Sequence, residues 1–219
     1  MTPTQAAMLG TERPDKRPTL VTARLMLRPF RLADAPEVQR LAGARQVAEM
    51  TLNIPHPYPD GAAEEWISGH RMRFEQGVSL TLAVTLQEEG TLMGAVALMD
   101  ADAHRAELGY WIGVPYWGQG YCTEAARALV DYGFRVMGLH RIFATHFARN
   151  PASGRVLQKL GMRYEGCLRE HVRKGDRYED LALYGLLRDE WLAAESSPEP
   201  GSGLVYSRAS VECPPCARR

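Results

Sequence analysis

The chain has 219 residues, and its 26 basic side chains equal its 26 acidic ones in number. This length suits one domain with a single buried core, and the balanced charge lacks the basic excess of general nucleic-acid binders, so we expect no direct nucleic-acid partner. No stretch approaches the ~18 uninterrupted apolar residues of a membrane span, and no apolar signal segment follows Met1, so we predict a cytoplasmic protein without a membrane partner.

Composition divides the chain into one folded domain, predicted over residues 19–192, and two ends without a core. Residues 1–18 mix Thr, Pro, Gly and charged residues without periodicity, which is typical of a flexible leader. Residues 193–219 are rich in Ser, Pro and Gly, a composition that indicates a disordered tail. Cys213 and Cys216 in this tail have the spacing of half a zinc site, but no second pair completes it, so we predict no metal.

The first part of the domain is predicted to contain a strand and two helices. Apolar and polar residues alternate over residues 20–30, which predicts one strand, and a short helix is expected to begin near Asp34. A proline-rich loop over residues 53–60 precedes a second helix that extends through Phe74. Asp60 stands where it could cap this helix.

The remaining strands are predicted to form a mixed sheet. Residues 79–87, 91–99 and 106–113 follow one another with short turns, which indicates an antiparallel meander. Residues 139–148 are apolar on both faces, and a helix separates them from the meander, so we expect an interior strand reached by a parallel crossover. Two further strand-like runs complete the sheet, residues 162–174 and 177–187.

The strand over residues 106–113 has two different faces. One face is apolar and consists of Leu108, Tyr110 and Ile112. The other consists of Glu107, Gly109, Trp111 and Gly113. Because two glycines stand beside one carboxylate there, we expect exposed backbone against which another molecule could lie.

A glycine turn joins this strand to a helix that begins near Thr123. Gly118 and Gly120 permit positive φ, and the free N–H groups and positive end of the helix attract an anion. A Walker loop is excluded because it needs Lys and then Ser or Thr where this chain has Tyr121 and Cys122. The dinucleotide fingerprint is excluded because Thr123 stands where its third Gly is required. The turn therefore predicts a phosphate or pyrophosphate cradle.

Asn150 and Pro151 are predicted to begin another helix, which Gly161 ends. Asn is a preferred N-cap, Pro is favoured at the first helical position, and Gly is favoured just past the end. Ser153 lies about one turn into this helix and faces the same end. Capping alone explains Asn150, so its position does not by itself indicate a binding role.

Three motifs in order resemble the GNAT superfamily of acetyl-CoA-dependent N-acetyltransferases. They are Glu-Leu-Gly-Tyr-Trp-Ile at 107–112, Pro-Tyr-Trp-Gly-Gln-Gly-Tyr-Cys-Thr-Glu-Ala at 115–125, and Asn-Pro-Ala-Ser at 150–153 leading to Leu-Gln-Lys-Leu-Gly-Met at 157–162. The resemblance covers roughly residues 20–192 and is strongest to the RimJ/RimL branch, which includes enzymes that acetylate the N-termini of ribosomal proteins. It implies an α/β fold of the GNAT type: a mixed, mostly antiparallel sheet flanked by helices, with a splayed central strand pair for CoA.

The resemblance implies acetyl-CoA as cosubstrate and positions for its parts on this chain. The backbone N–H groups of the turn would bind its pyrophosphate, namely those of Gly118, Gln119, Gly120, Tyr121, Cys122 and Thr123. The exposed backbone of Trp111, Ile112 and Gly113 could bind the pantetheine amides. Asn150 would bond the pantetheine arm as well as cap its helix, and Ser153 would lie within reach of the sulfur.

Acetyl transfer to an amine needs a base, an acid and a donor to the oxyanion. Glu107 matches the position of an acidic residue that related enzymes use as base, and an N–H near Ile112 would meet the oxyanion. Many superfamily members have a Tyr that acts as the general acid at the position where this chain has Leu157. We therefore assign the acid to Ser153, with Tyr164 or water as the alternatives.

The amine acceptor stays open between a protein N-terminus, such as that of a ribosomal protein, and a small amine; a non-catalytic acyl-CoA sensor is a third interpretation, and a homodimer is compatible with each. By resemblance, His56 and Tyr58 are substrate-binding candidates, although both rings could instead pack beneath Trp66. Basic residues near the last predicted turn form either a solvated rim or a surface that steers an acidic acceptor: Arg169, His171, Arg173, Lys174 and Arg177.

Overall fold

The computed structural model describes residues 16–196, which form a single mixed sheet with helices on both faces. The elements in chain order are β1 (Leu20–Val21), β2 (Leu25–Arg28), α1 (Ala35–Ala42), α2 (Arg45–Ala48), α3 (Ala62–Ser68), α4 (His70–Glu75), β3 (Leu80–Leu86), β4 (Leu92–Met99), β5 (Arg105–Ile112), α5 (Tyr121–Arg135), β6 (Arg141–Phe147), α6 (Pro151–Lys159), β7 (Arg163–Lys174), β8 (Arg177–Leu187) and α7 (Arg188–Ser196). The predictions for residues 1–15 and 197–219 lie outside the described residues.

The strand order is β1-β2-β3-β4-β5-β6-β8-β7. Neighbouring strands are antiparallel except β5 and β6, which are parallel and connected through α5. The predicted meander and the predicted parallel crossover into an interior strand are therefore confirmed. The glycine turn follows the end of β5 directly and precedes the α5 crossover, so it lies at the middle of the sheet.

The two central strands diverge soon after they meet. β5 and β6 pair only at Arg105↔Arg141, Ala106↔Ile142 and Glu107↔Phe143. Beyond those pairs β5 continues to Ile112 against β4, and β6 continues to Phe147 against β8. The predicted splay is thus present, and Glu107 lies at the point where it opens.

Each face of the sheet has its own core. On one face α5 and α6 cover the strands, with Leu108, Leu129 and Leu157 completely or almost completely buried. On the other face α1 and α3 pack over β3 and β4 through residues such as Val38 and Ile67. Burying such side chains contributes roughly 1.5–3 kcal/mol each, so both helical layers stabilise the sheet in which the splay opens.

The first predicted strand is wrong as a single element. The chain reverses at Thr22–Arg24, where the N–H of Thr22 donates to the carbonyl of Leu25 at 2.9 Å, so β1 and β2 form a hairpin instead. Alternation predicts an extended backbone but not a reversal, because residues on both sides of a tight turn keep the same period. The reversal places Arg24 at the edge of the sheet nearest α5.

The helix predicted from Asp60 to Phe74 is two helices, α3 and α4, which meet at Gly69. Asp60 does not cap α3, because Gly61 at φ +80° precedes the first helical residue and no side chain caps it. The Asp60 carboxylate instead accepts a hydrogen bond from the Gln39 amide at 2.8 Å. Its partner is therefore a residue of α1, which proximity in sequence does not indicate.

Helix α7 was not predicted, and the expected domain boundary at residue 192 falls inside it. Trp191 attaches this helix to the domain: it is 3% exposed, and its indole Nε1 donates to Asp131 at 3.0 Å. The guanidinium of Arg127 lies 5.3 Å from the centre of the same ring. The indole thus has both an apolar seat and a hydrogen-bond partner, as a buried tryptophan requires.

His70 is a buried titratable group in the helical layer over β3. Its ring packs against Trp66 at 4.4 Å and Phe30 at 5.5 Å, and only 4% of the residue is exposed. Neither ring nitrogen has a hydrogen-bond partner among the described residues. Burial, with added repulsion from Arg17 and Arg73, lowers the pKa of His70 to about 4.

We expect acid to destabilise the protein through His70. The unfolded chain binds the imidazole proton near pH 6.5 and the folded chain only near pH 4, so the proton favours unfolding as the pH falls between those values. Replacing His70 by Leu should reduce the loss of unfolding free energy between about pH 7 and about pH 4.5 by roughly 2 kcal/mol, measured by urea denaturation. His140→Leu, at an exposed position, is the control; identical pH dependence in all three proteins would contradict the expectation.

Candidate active site

The glycine turn adopts the backbone that its sequence predicts. After β5 the chain makes one 3-10 turn at Val114–Tyr116, and Gly118 and Gly120 then take φ values of +75° and +81°. Side chains at those two positions would strain the backbone, because left-handed φ is costly for residues other than glycine. α5 follows immediately and begins at Tyr121, two residues before the predicted start.

The turn presents a row of unpaired donors. No described residue accepts a hydrogen bond from the backbone N–H groups of Gly118, Gln119, Gly120, Tyr121, Cys122 and Thr123. The last three belong to the first turn of α5, whose positive end adds to the attraction for an anion. The structure therefore brings together all six predicted cradle residues with donors free for a phosphate or pyrophosphate.

Trp117 braces the turn against the strand before it. Its indole Nε1 donates to the carbonyl of Ile112 at 2.6 Å, although the side chain is 47% exposed. The Gln119 amide adds a second brace by donating to the carbonyl of Pro115 at 3.2 Å. These bonds hold the end of β5 and the cradle in one fixed relation.

Only part of the predicted β5 backbone faces the splay. The N–H of Gly113 donates to the carbonyl of Met93 on β4 at 2.8 Å. Hydrogen-bonding positions alternate along an antiparallel pair, so the backbone groups of Trp111 also face β4, whereas those of Tyr110 and Ile112 face the splay. The prediction that the backbone of Trp111 and Gly113 binds a ligand is therefore wrong, because those groups face β4. The N–H of Ile112 remains available to a ligand in the splay.

The glycine face of β5 is covered rather than bare, which corrects the prediction of exposed backbone. A Cβ on Gly113 would lie 2.6 Å from the Leu41 side chain of α1, and Gly113 is buried. A Cβ on Gly109 would lie 2.5 Å from the Met99 side chain. Both glycines make room for side chains of this protein, Leu41 and Met99. The molecule expected to lie close to this backbone is therefore the protein itself and not a ligand.

Glu107 lies where the sheet opens and is partly exposed. The hydroxyl of Thr145 on β6 donates to Glu107 Oε1 at 2.7 Å, which spans the beginning of the splay. This bond occupies one carboxylate oxygen and leaves Oε2 available to a substrate. The arrangement suits a base that must accept a proton at a defined position.

Asn150 and Ser153 take the predicted places at the start of α6. Asn150 Oδ1 accepts from the N–H of Ser153 at 3.3 Å, so the predicted cap is confirmed. The phenol of Tyr110 donates to the carbonyl of Ser153 at 3.1 Å and lies 2.9 Å from Ser153 Oγ. Ser153 is therefore fixed by β5 as well as by its own helix.

Tyr110 is the site residue that sequence reasoning missed. Burial raises the pKa of Tyr110 far above its ordinary value, with a smaller contribution from the neighbouring Cys122, so the phenol keeps its proton. The available signal was a tyrosine on an otherwise aliphatic strand face, because a buried phenol needs a hydrogen-bond partner. Its partner, Ser153, is 43 residues away in sequence and could not be named in advance.

Glu107 and Ser153 lie on opposite faces of the sheet. Side chains alternate along β5, so Tyr110, which contacts Ser153, projects away from the face of Glu107. The candidate base, Glu107, and the candidate acid, Ser153, are thus placed on opposite faces of the sheet at the splay. Cys122 lies on the Tyr110 side, where burial raises the pKa of its thiol to about 12, so the thiol stays protonated at neutral pH.

The predicted acceptor residues lie in the loop between α2 and α3. His56 is exposed, and its Nδ1 lies 3.0 Å from the carbonyl of Gly43; Tyr58 is half-buried against the same glycine. Neither ring packs beneath Trp66, which contacts Phe30 and His70, so that alternative is wrong.

Two cations tie this loop to the strands on the far side of the splay. Lys174 Nζ donates to the carbonyl of Leu52 at 3.0 Å, and Arg149 donates to the carbonyl of Glu49 at 2.7 Å. Arg149 also pairs with the buried Glu179 at 2.9 Å. Lys174 is therefore part of the fold, which corrects its assignment to a solvated rim or steering surface. The loop lies beside the Glu107 face, because Glu179 and Thr145 project from the same side of the sheet.

The described part of the chain contains neither a membrane-spanning helix nor a cluster of metal-ligating side chains. No helix within residues 16–196 is long and apolar enough to cross a membrane. No group of three or more His, Cys, Asp or Glu side chains in that range is placed to hold a metal ion. Cys213 and Cys216, whose spacing is that of half a zinc site, lie outside it.

Comparison with known proteins identifies the family. The family model described as "Acetyltransferase (GNAT) domain" matches residues 24–163. The chain is 31% identical over 174 residues to the uncharacterized N-acetyltransferase YnaD of Bacillus subtilis, a match that covers 78% of this chain and 98% of that protein. It is 27% identical over 125 residues to the ribosomal-protein-serine acetyltransferase of Escherichia coli, covering 56% of this chain and 69% of that protein.

A solved structure agrees with the sequence matches. The GNAT-family acetyltransferase of Bacillus anthracis superposes with a TM-score of 0.71 at 27% identity, over 78% of this chain and 99% of that one. The family match covers more than half of the chain, and the splayed sheet and the glycine turn lie within it. This protein therefore belongs to the GNAT family of acetyltransferases and is an N-acetyltransferase.

Proposed function

We propose that the protein moves the acetyl group of acetyl-CoA to a primary amine, with a protein N-terminal α-amine as the acceptor. The observation that carries the proposal is the alignment of two features: six unpaired N–H groups at the start of α5, and a splay that runs from the end of β5 to Glu107. An anionic ligand with a long amide-bearing arm fits both features together.

The cradle would bind the pyrophosphate, and the arm would lie in the splay. There the N–H and C=O of Tyr110 face the splay and can pair with the pantetheine amides in the manner of an added strand, whereas the C=O of Ile112 is held by Trp117 and only its N–H is free within the described residues. Asn150 uses its Oδ1 for the cap, and its amide nitrogen has no partner among the described residues, so it can donate to the arm. Cap and ligand contact are compatible in one side chain.

The proton steps follow from the two faces of the sheet. Glu107 takes a proton from the acceptor ammonium, and the neutral amine then attacks the thioester carbon. The free N–H of Ile112 stabilises the oxyanion. As the C–S bond breaks, Ser153 Oγ gives its proton to the thiolate and takes up the second proton that the attacking nitrogen loses, so the amide forms and the serine hydroxyl is restored; Tyr110 holds that hydroxyl in place.

The acceptor assignment is supported by the ribosomal-protein-serine acetyltransferase to which the chain is similar. A chain terminus is also compatible with the position of Glu107, because the residue is partly exposed and projects from the face of the sheet on which the loop between α2 and α3 lies. A panel of peptides led by Ser, Ala and Met, run beside small polyamines, separates the two acceptor classes.

Replacing Glu107 by Gln should lower kcat for peptide acetylation by about 100-fold, because the amide cannot accept the proton of the ammonium. Thiol release from acetyl-CoA measures turnover, and titration calorimetry should show CoA affinity unchanged within about twofold. Glu75→Gln, at an exposed position at the end of α4, is the matched control. Full turnover by the Glu107 variant would remove the residue from the mechanism.

Ser153→Ala and Tyr110→Phe should act as one unit. We expect kcat to fall by roughly 30-fold for the first and 5-fold for the second, with little further loss in the double variant, because Tyr110 assists proton transfer through the Ser153 hydroxyl and its bond to the Ser153 carbonyl is structural. Single-turnover acetylation measures each rate. Losses that multiply in the double variant would show that the two hydroxyls act independently.

A further inference from the structure

Arg24 reaches the cradle from the turn between β1 and β2. One of its terminal nitrogens donates to the carbonyl of Gln119 at 3.1 Å, and its guanidinium lies 4.5 Å from the centre of the Tyr121 ring. A Cβ on Gly120 would lie 3.5 Å from the same guanidinium, which is ordinary van der Waals contact. The Arg24 side chain thus contacts Gln119 and Tyr121, the residues on both sides of Gly120, which immediately precedes α5.

Glu124 in the first turn of α5 is the second partner of Arg24. Its carboxylate accepts from the Thr22 hydroxyl at 2.7 Å, from the N–H of Arg24 at 3.0 Å and from Arg24 Nε at 2.7 Å. Burial acts to raise the pKa of Glu124, but the hydrogen bonds from Thr22 and Arg24 outweigh it and hold the pKa below its ordinary value. Glu124 is therefore negatively charged at neutral pH.

That negative charge stands in an unfavourable place for an anion site. Its side chain is only 19% exposed, so solvent screens it weakly, and it belongs to the helix whose N-terminus forms the cradle. Without a counterion it would oppose the positive end of the helix and repel a pyrophosphate. The guanidinium of Arg24, 2.6 Å from Glu124 Oε2, cancels it.

The bond to Gln119 has a separate consequence for geometry. In a planar trans peptide the C=O and the following N–H point in opposite directions. Because Arg24 holds the carbonyl of Gln119 on its own side, the N–H of Gly120 is directed to the other side, among the unpaired donors of the cradle. The peptide between Gln119 and Gly120 rotates easily because Gly118 and Gly120 have few conformational restrictions, so the hydrogen bond from Arg24 is needed to fix its orientation.

We propose that Arg24 is a positioning residue for the pyrophosphate of CoA: it directs the Gly120 N–H into the cradle through Gln119 and removes the charge of Glu124. The inference rests on the proposed function, since it needs CoA in the cradle. The simpler alternative is that Arg24 only attaches the β1–β2 hairpin to α5. That role would affect stability and would not depend on the phosphates of the ligand.

The experiment compares CoA binding by calorimetry in the full chain and in Arg24→Met, Glu124→Gln and the double variant. We expect Arg24→Met to raise the Kd for CoA about tenfold and Glu124→Gln to leave it unchanged or lower. The double variant should recover part of the loss, because the repulsion is gone while the Gln119 anchor is still missing. Arg45→Met removes a cation from the exposed pair with Glu49 and is the matched control, expected to bind as the wild type does.

Pantetheine, which keeps the arm but lacks the pyrophosphate, distinguishes the two roles of Arg24. Its binding at millimolar concentration should change little in Arg24→Met, even though the melting temperature without ligand falls because the Glu124 carboxylate has lost its partner. An unchanged Kd for CoA in Arg24→Met, or an equal loss with pantetheine, would overturn the inference. Failure of the wild-type protein to bind CoA would instead overturn the proposed function, and the inference with it.

Discussion

The divergence of β5 and β6 after three residue pairs is the constraint on which the site depends. Each strand stays in the sheet through its other neighbour, β4 or β8, so pairing on both sides holds the splay open. Beyond Glu107 the backbone groups that face the splay lack a ladder partner in the described sheet, and a buried backbone group without a partner costs on the order of 1–3 kcal/mol. An arm that carries its own amides would satisfy those groups, so in the proposed function the interruption of the sheet is also the place where the arm is recognised.

The groups assigned to chemistry are held by side chains that do not react. Thr145 orients Glu107, Tyr110 orients Ser153, and Trp117 braces the carbonyl of Ile112. Thr145 and Tyr110 each belong to a different strand or helix than the residue they hold. The positions of the Glu107 carboxylate and the Ser153 hydroxyl therefore depend on how β5, β6 and α6 pack. Rotamers locked in this way lower the cost of reaching a productive geometry. The site is therefore a property of the whole sheet.

The surface proposed for the acceptor, here called the acceptor side, is built differently from the surface proposed for CoA, the CoA side. The CoA side consists mainly of backbone, fixed by glycines and a helix terminus, whereas the loop beside Glu107 is held by long-range bonds from Lys174 and Arg149. Such a loop can change its side chains without disturbing the sheet. This difference explains why family membership defines the acetyl donor class well and leaves the acceptor amine to be tested.

Local rules were enough to predict the elements that carry the cradle. Gly118 and Gly120 require left-handed backbone, Asn150 and Pro151 specify a helix start, and alternation indicated the meander, because each signal depends on neighbours within a few residues. Tertiary structure alone decided the partners of those elements: Tyr110 with Ser153, and Arg24 with a carboxylate 100 residues away, Glu124. It also decided that the backbone groups of Trp111 and Gly113 hydrogen-bond to β4, since strand register is set by pairing and not by composition. The sequence by itself therefore determined the local backbone of the cradle, while packing determined which side chains position it and which atoms are left for a ligand.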